Sequence, residues 1–113
     1  MKYIVAIIQS DKLDNVLDKL EDNGIHLVTV TNAVGRGRQK GEAEVYRGHK
    51  EIGTLLKKVK IEIGVNDDFV KPAVDAIIEA SKTGEIGDGK IFVMALEECH
   101  RIRTGETGNE AIG

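Results

Sequence analysis

The run Thr83-Gly84-Glu85-Ile86-Gly87-Asp88-Gly89-Lys90-Ile91, followed by Arg101-Ile102-Arg103-Thr104-Gly105-Glu106, sets flexible glycines beside fixed positive charges. Glycine lets a backbone wrap closely around an anion, while lysine and arginine neutralise it. A second such segment, Gly35-Arg36-Gly37-Arg38-Gln39-Lys40-Gly41, lies upstream. Two glycine-basic loops in so short a chain point to a polyphosphate ligand such as a nucleotide.

Neither loop is a standard nucleotide motif. Gly84, Gly89 and Lys90 have P-loop spacing, but Ile91 stands where a Ser or Thr would hold magnesium. The order of elements also differs: a P-loop runs strand, loop, helix, whereas this loop follows a predicted helix and precedes a predicted strand. Gly35 and Gly37 open like a dinucleotide fingerprint, yet Lys40 occupies the third glycine position. Taken alone, either loop reads more readily as a tight turn, since Asp-Gly suits positive φ. The Arg101/Arg103 pair tips the reading toward anion binding.

Composition narrows the ligand further. The 113-residue chain is 41% hydrophobic, which suits one domain with a modest core, and its net charge is −3. A nucleic-acid binder needs a basic surface to track phosphates, so nucleic acid is not expected as a direct partner. Positive charge is local instead, at residues 36–40, 57–60 and 101–103. The single cysteine, Cys99, excludes an internal disulfide framework and makes the cytoplasm the expected location. The opening apolar run Tyr3 to Ile8 is too short for a signal peptide or a membrane span, so no membrane insertion is expected. His26, His49, His100 and Cys99 lack zinc-finger spacing.

The elements that must position these loops are legible as hydrophobic periods. Tyr3 to Ile8 reads as a buried strand, and Ser10-Asp11 as the cap of a helix carrying Leu13, Val16, Leu17 and Leu20 on one face. Asn23-Gly24 ends that helix, and the β-branched run His26 to Val34 is a second strand. Lys58 to Val65 alternates strictly, with Val59, Ile61, Ile63 and Val65 on one face. Asn66-Asp67-Asp68 offers caps for a helix that buries Val70, Ala73, Val74, Ile77 and Ile78, with Pro72 in its first turn. Lys90 to Leu96 is a fourth strand, apolar on both faces. The order βαββαβ predicts an α+β, ferredoxin-like fold for a single domain over residues 1–113.

Two consequences follow from that order. Two helices cover only one face of a four-stranded sheet, so the other face of an apolar strand four is expected to pack on another subunit. A connection of roughly twenty residues between strands two and three is anomalous in a compact domain. Its charged content, with one aromatic, is that of a partner-docking arm.

Gly35 to Gly41, Tyr46-Arg47-Gly48, Lys58-Val59-Lys60-Ile61-Glu62-Ile63, Thr83 to Val93 and Arg101 to Glu106 together resemble the PII nitrogen-regulatory signal proteins across nearly the whole chain. The resemblance implies a homotrimer of ferredoxin-like subunits with a nucleotide site in each cleft between neighbours. ATP and ADP would compete there, and 2-oxoglutarate would bind beside Mg-ATP. The long loop, the T-loop, would span about 37–55 and the C-terminal tail about 104–113. That Gly-rich, polar tail, Thr107 to Gly113, is expected to order in one ligand state.

Residue by residue, the resemblance implies that Gly87, Asp88, Gly89 and Lys90, with Arg101 and Arg103, cradle the phosphates. Gly35, Gly37, Arg38 and Gln39 would close the site from the neighbouring chain, while Thr29 and Glu62 hydrogen-bond the adenosine. Gln39, Lys40, Gly41 and Lys58 would receive 2-oxoglutarate, with Gln39 presenting its carbonyl to Mg2+. Without the resemblance, Lys58 and Lys60 read as a solvated strand face. The T-loop residues Glu44, Tyr46, Arg47, Gly48, His49 and Glu51 would meet a partner: an ammonium channel, glutamine synthetase, nitrogenase or a transcription regulator.

The departures are informative. Many bacterial members carry a modifiable tyrosine where this chain has Glu51, and some a phosphorylated serine where it has His49. Glu51 has no hydroxyl, so uridylylation or adenylylation at that residue is excluded, and Tyr46 belongs to the Tyr-Arg-Gly element. Gly64 replaces a valine near the adenine, and Arg36 a phenylalanine at the loop root. A T-loop of this kind also resembles the subgroup that regulates nitrogenase directly. Two further classes stay open: an ATP-using transferase or hydrolase, for which no nucleophile–base pair can be assigned, and an oligomeric scaffold that binds no nucleotide.

Overall fold

The computed structural model describes residues 1–37 and 55–113, and the backbone of 45–46 and 49–50. The elements are β1 (Lys2–Gln9), α1 (Leu13–Asp22), β2 (Thr29–Gly35), β3 (Val45–Tyr46), β4 (His49–Lys50), β5 (Leu56–Val65), α2 (Val70–Ser81), β6 (Gly89–Ala95) and α3 (Asn109–Ile112). Four strands form one antiparallel sheet in the order β2-β5-β1-β6, compatible with the ferredoxin-like arrangement. The two-residue strands β3 and β4 pair separately, Tyr46 opposite His49.

Period-two alternation builds the core. Ile4, Ala6 and Ile8 of β1 and Val59, Ile61, Ile63 and Val65 of β5 turn to one face and meet Val16 and Leu20 of α1 and Ala73, Ala76 and Ile77 of α2. The intervening positions, Lys58, Lys60, Glu62 and Gly64, lie on the other face. Through the register, Phe92 opposite Val5 and Met94 opposite Tyr3 join that face, and they are 49% and 45% exposed.

Several boundaries differ from the sequence expectation. The second strand enters the ladder at Thr29, three residues later than His26, because Ile25 drops into the core first. Neither α1 nor α2 takes a side-chain cap from Ser10-Asp11 or Asn66-Asp67-Asp68; a 3-10 turn leads into each. Asp67 instead accepts the N-terminal ammonium of Met1 at 2.9 Å, which holds its carboxyl below the usual range. In α2, Ala76 is buried where Ile78 was expected, and Ile78 is 46% exposed, since the core-facing stripe follows Ala73, Ala76, Ile77. Pro72 is the third residue of α2, where its missing N–H removes no intrahelical bond.

The end of α1 is as expected. Gly24, at φ 79, donates to the Glu21 carbonyl, and Ile25 donates to Leu20, closing the helix in a Schellman motif.

Candidate functional site

The antiparallel register fixes which residues share an edge of the sheet. Gln9 at the end of β1 lies opposite Lys58, Ile8 lies opposite Gly89, and Gly35 at the end of β2 lies opposite Leu56. The loop from Lys82 to Asp88 returns to this same edge. Together they form a cleft of about 660 Å³ whose walls include Gly35, Gly37, Lys58, Gly87, Gly89 and Lys90. The two glycine-basic segments, far apart in the chain, thus meet in one subunit.

This arrangement corrects one expectation. Gly35 and Gly37 were expected to reach Gly87–Lys90 from a neighbouring chain, yet they belong to the same cleft of the same chain. The reason is topological: β2 and β6 both have their loop-bearing ends at this edge. Arg38, Gln39, Lys40, Gly41, Glu44, Arg47, Gly48 and Glu51 lie outside the described residues, and Tyr46 and His49 are described as strand backbone alone.

The second loop is shaped from within. The Asp88 carboxylate accepts hydrogen bonds from the Thr83 amide (2.8 Å), the Thr83 hydroxyl (2.5 Å) and the Gly84 amide (2.9 Å). The side chain of Asp88, a residue expected in the phosphate cradle, is thus taken up in shaping the loop. The hydrogen bonds from Thr83 hold its carboxyl below the ordinary value of 3.8. A lowered folded-state pKa stabilises the loop above that ordinary value and loses the contribution as pH falls through the lowered one. The Thr83 and Gly84 amide resonances are therefore expected to titrate together with a midpoint below 3.8; a midpoint at or above it would show that the carboxylate does not hold the turn.

Two side chains secure the loop from outside. Lys58 donates its ammonium to the Gly87 carbonyl at 3.0 Å, and Gln9 donates its amide to the same oxygen at 3.2 Å. Gly87 takes φ 106 and Gly89 φ 109, so the backbone here uses conformations that L side chains rarely adopt.

Thr29 and Glu62 lie elsewhere. They are cross-strand partners beside Gly64, in a second cleft of about 510 Å³ that also includes Tyr3, Leu96 and Ile112. The Tyr3 hydroxyl donates to Glu62 at 2.6 Å, and that hydrogen bond raises the phenol pKa. A Cβ on Gly64 would meet Leu96 and Ile112 at 3.9 and 4.0 Å, ordinary contact distances. The tail is folded here: His100 bridges to Thr107, and α3 places Ile112 over Gly64.

Arg101 and Arg103 are also at this far end. Arg101 pairs with Glu106 at 2.5 Å and donates to the Glu110 carbonyl at 3.0 Å, while Arg103 is exposed. The seven-residue β6, roughly 20 Å long, lies between Lys90 and the segment that carries them, and neither arginine lines the glycine cleft. Their expected union with Gly87–Lys90 is therefore not made within one chain. Neither Gln9 nor Tyr3 was among the site candidates read from the sequence, because their relevance depends on the register that sets them opposite Lys58 and close to Glu62.

The fold and cleft define a small α+β domain with a preformed, glycine-rich, cationic recess, and among the described residues no helix is long and apolar enough to cross a membrane. The family model described as Nitrogen regulatory protein P-II matches residues 1–106. A Nitrogen regulatory protein P-II of Bradyrhizobium diazoefficiens is 57% identical over 112 residues, covering 99% of this chain and 100% of the relative. That of Rhodospirillum rubrum is 54% identical with the same coverage, and Nitrogen regulatory protein P-II 2 of Methanothermobacter thermautotrophicus is 52% identical, covering 99% and 97%. The chain belongs to the P-II nitrogen regulatory family. Its relatives are named as regulatory proteins.

Proposed function

We propose that this chain is a non-enzymatic nitrogen-regulatory sensor that binds ATP or ADP, and 2-oxoglutarate beside Mg-ATP. The observation that carries the reading is the cleft in which Gly35, Gly37, Lys58, Gly87, Gly89 and Lys90 converge. Backbone approach at the glycines and ammonium groups at its walls suit a polyphosphate and a dicarboxylate. Gln39 at the root of residues 37–55 links Mg2+ and 2-oxoglutarate to that loop, which in turn docks onto a cytoplasmic or membrane-bound partner.

The assembly is a homotrimer. Phe92 and Met94 on the helix-free face supply apolar surface for a second copy, and the far-end arginines complete a neighbour's cleft. Because a ligand moves an equilibrium only through differential affinity, the 37–55 segment touches the ligand in at least one state, and partner and effector affinities are reciprocally coupled.

Calorimetric titration of Mg-ATP with and without 2-oxoglutarate tests the reading on the intact oligomer. ATP binding strengthened by 2-oxoglutarate is expected; no binding of ATP or ADP favours a scaffold, and sustained multiple turnover of ATP favours an enzyme. Gln39→Ala is expected to weaken 2-oxoglutarate by about tenfold or more, the scale of a lost charge-assisted contact. Unchanged 2-oxoglutarate affinity in that variant removes the proposed link to the loop.

A further inference from the structure

Gly87 carries an unusual load for a loop carbonyl: both of its lone-pair positions are used by side chains from the sheet beneath. Lys58 Nζ lies 3.0 Å from the oxygen and Gln9 Nε2 lies 3.2 Å from it. Gln9 and Lys58 are themselves cross-strand neighbours, the last β1 residue opposite a residue near the start of β5. Side chains directly opposite one another in an antiparallel pair reach the same point above the sheet. The oxygen is an atom of the planar peptide that joins Gly87 to Asp88, so that peptide takes its orientation from where the oxygen is held.

We infer that Gln9 is a positioning residue of the cleft, which keeps the Gly87–Lys90 backbone in place when Lys58 is drawn away to an anionic ligand. The inference rests on the proposed reading that Lys58 receives the dicarboxylate. An ammonium has three donors, but geometry limits how far one can serve a carbonyl and a carboxylate together. A neutral amide has no such competing attraction, so Gln9 retains the carbonyl whichever partner Lys58 takes. Two donors on one acceptor make the second expendable. Gln9 thereby lowers the cost to the loop of releasing Lys58, and so supports joint binding of nucleotide and dicarboxylate in one recess.

The decisive variant is Gln9→Met, which keeps length and half-burial but removes both N–H donors. Calorimetry on the intact oligomer, with Mg-ATP alone and then with saturating 2-oxoglutarate, gives two affinity ratios against the wild type. A modest loss of about two- to fivefold is expected with Mg-ATP alone, where Lys58 still holds the carbonyl, and about tenfold with 2-oxoglutarate present. Gln9→Lys, which restores a donor at comparable reach, recovers at least half of the loss on a logarithmic scale. Equal losses in the two conditions indicate a general structural role and overturn the inference, as does no loss in either.

Amide hydrogen exchange at residues 87–90 in the ligand-free protein supplies a readout independent of ligand affinity. In a Lys58→Met background, where no second donor holds the carbonyl, Gln9→Met is expected to speed exchange there while leaving the middle of β1 and β5 unaltered; unchanged exchange relative to Lys58→Met alone overturns the tether. If the wild type binds neither ATP nor ADP, the sensor reading fails and the coupling role fails with it, while exchange still decides whether Gln9 holds the loop. If the wild type binds both effectors and Gln9→Met behaves like it, only the inference fails.

Discussion

Gly89→Ala is expected to destabilise the folded chain by at least about 3 kcal/mol, read as a lowered urea midpoint. An ideal Cβ at this position would lie 1.8 Å from the Ile7 carbonyl oxygen and 2.9 Å from its carbonyl carbon. Those are backbone atoms of a central strand, so no side-chain rotation relieves the clash. Ile8 pairs with Gly89 and Ile7 with both Lys60 and Lys90, so moving β1 aside breaks ladders on both flanks. The φ of 109 adds backbone strain to the steric one. Typical domains have only about 5–15 kcal/mol to lose. Gly64→Ala is the matched control: its nearest atoms are at 3.9 and 4.0 Å, and its stability is expected to stay within about 0.5 kcal/mol of wild type. Equal midpoints for the two variants would refute the close approach of β6 to β1 at Gly89.

The second large effect concerns how a complete site is assembled. Lys90→Ala and Arg103→Ala are each expected to weaken Mg-ATP by about 10- to 100-fold, the range of a lost charge-assisted hydrogen bond to phosphate. Co-assembly of the two variants is expected to restore a fraction of sites to wild-type affinity. Lys90 is the second residue of β6, at the glycine-cleft end of the sheet, whereas Arg103 follows the strand's other end, so within one chain the two do not line a common cleft. On the proposed intersubunit site, some interfaces of a mixed oligomer would join an intact Lys90 from one chain to an intact Arg103 from its neighbour. Native mass spectrometry of the mixture with a sub-saturating ATP series reads this directly. Weak binding at every site of the mixed oligomers would place both residues in one chain's site and overturn the intersubunit assembly. Loss from Lys90→Ala alone, with Arg103→Ala unaffected, would confine the site to the glycine cleft.

The elements with strict periods were legible in the sequence. Val59, Ile61, Ile63 and Val65 are buried as alternation predicts, because a strand with one covered face has a register fixed by its side-chain period. The helix of Val70 to Ser81 was legible too, but its depth was not. Ile78 is exposed and Ala76 buried, since the rotation of a helix is set by the partner it packs on, and α1 supplies that partner. Capping was misread because Asp67 found a stronger partner in the N-terminal ammonium, a contact between positions distant in the chain.

By themselves, the residues determined the α+β order, the glycine-basic loops and the resemblance that the family comparison then established. These are properties of local pattern: side-chain period, glycine conformational freedom and the charge beside it. Only the tertiary structure decided that Gly35 shares a cleft with Gly87, that Gln9 and Lys58 hold one carbonyl, and that Arg101 and Arg103 stand at the opposite end. Those facts follow from strand order and register, which hydrogen bonds between distant segments fix and which no single segment encodes.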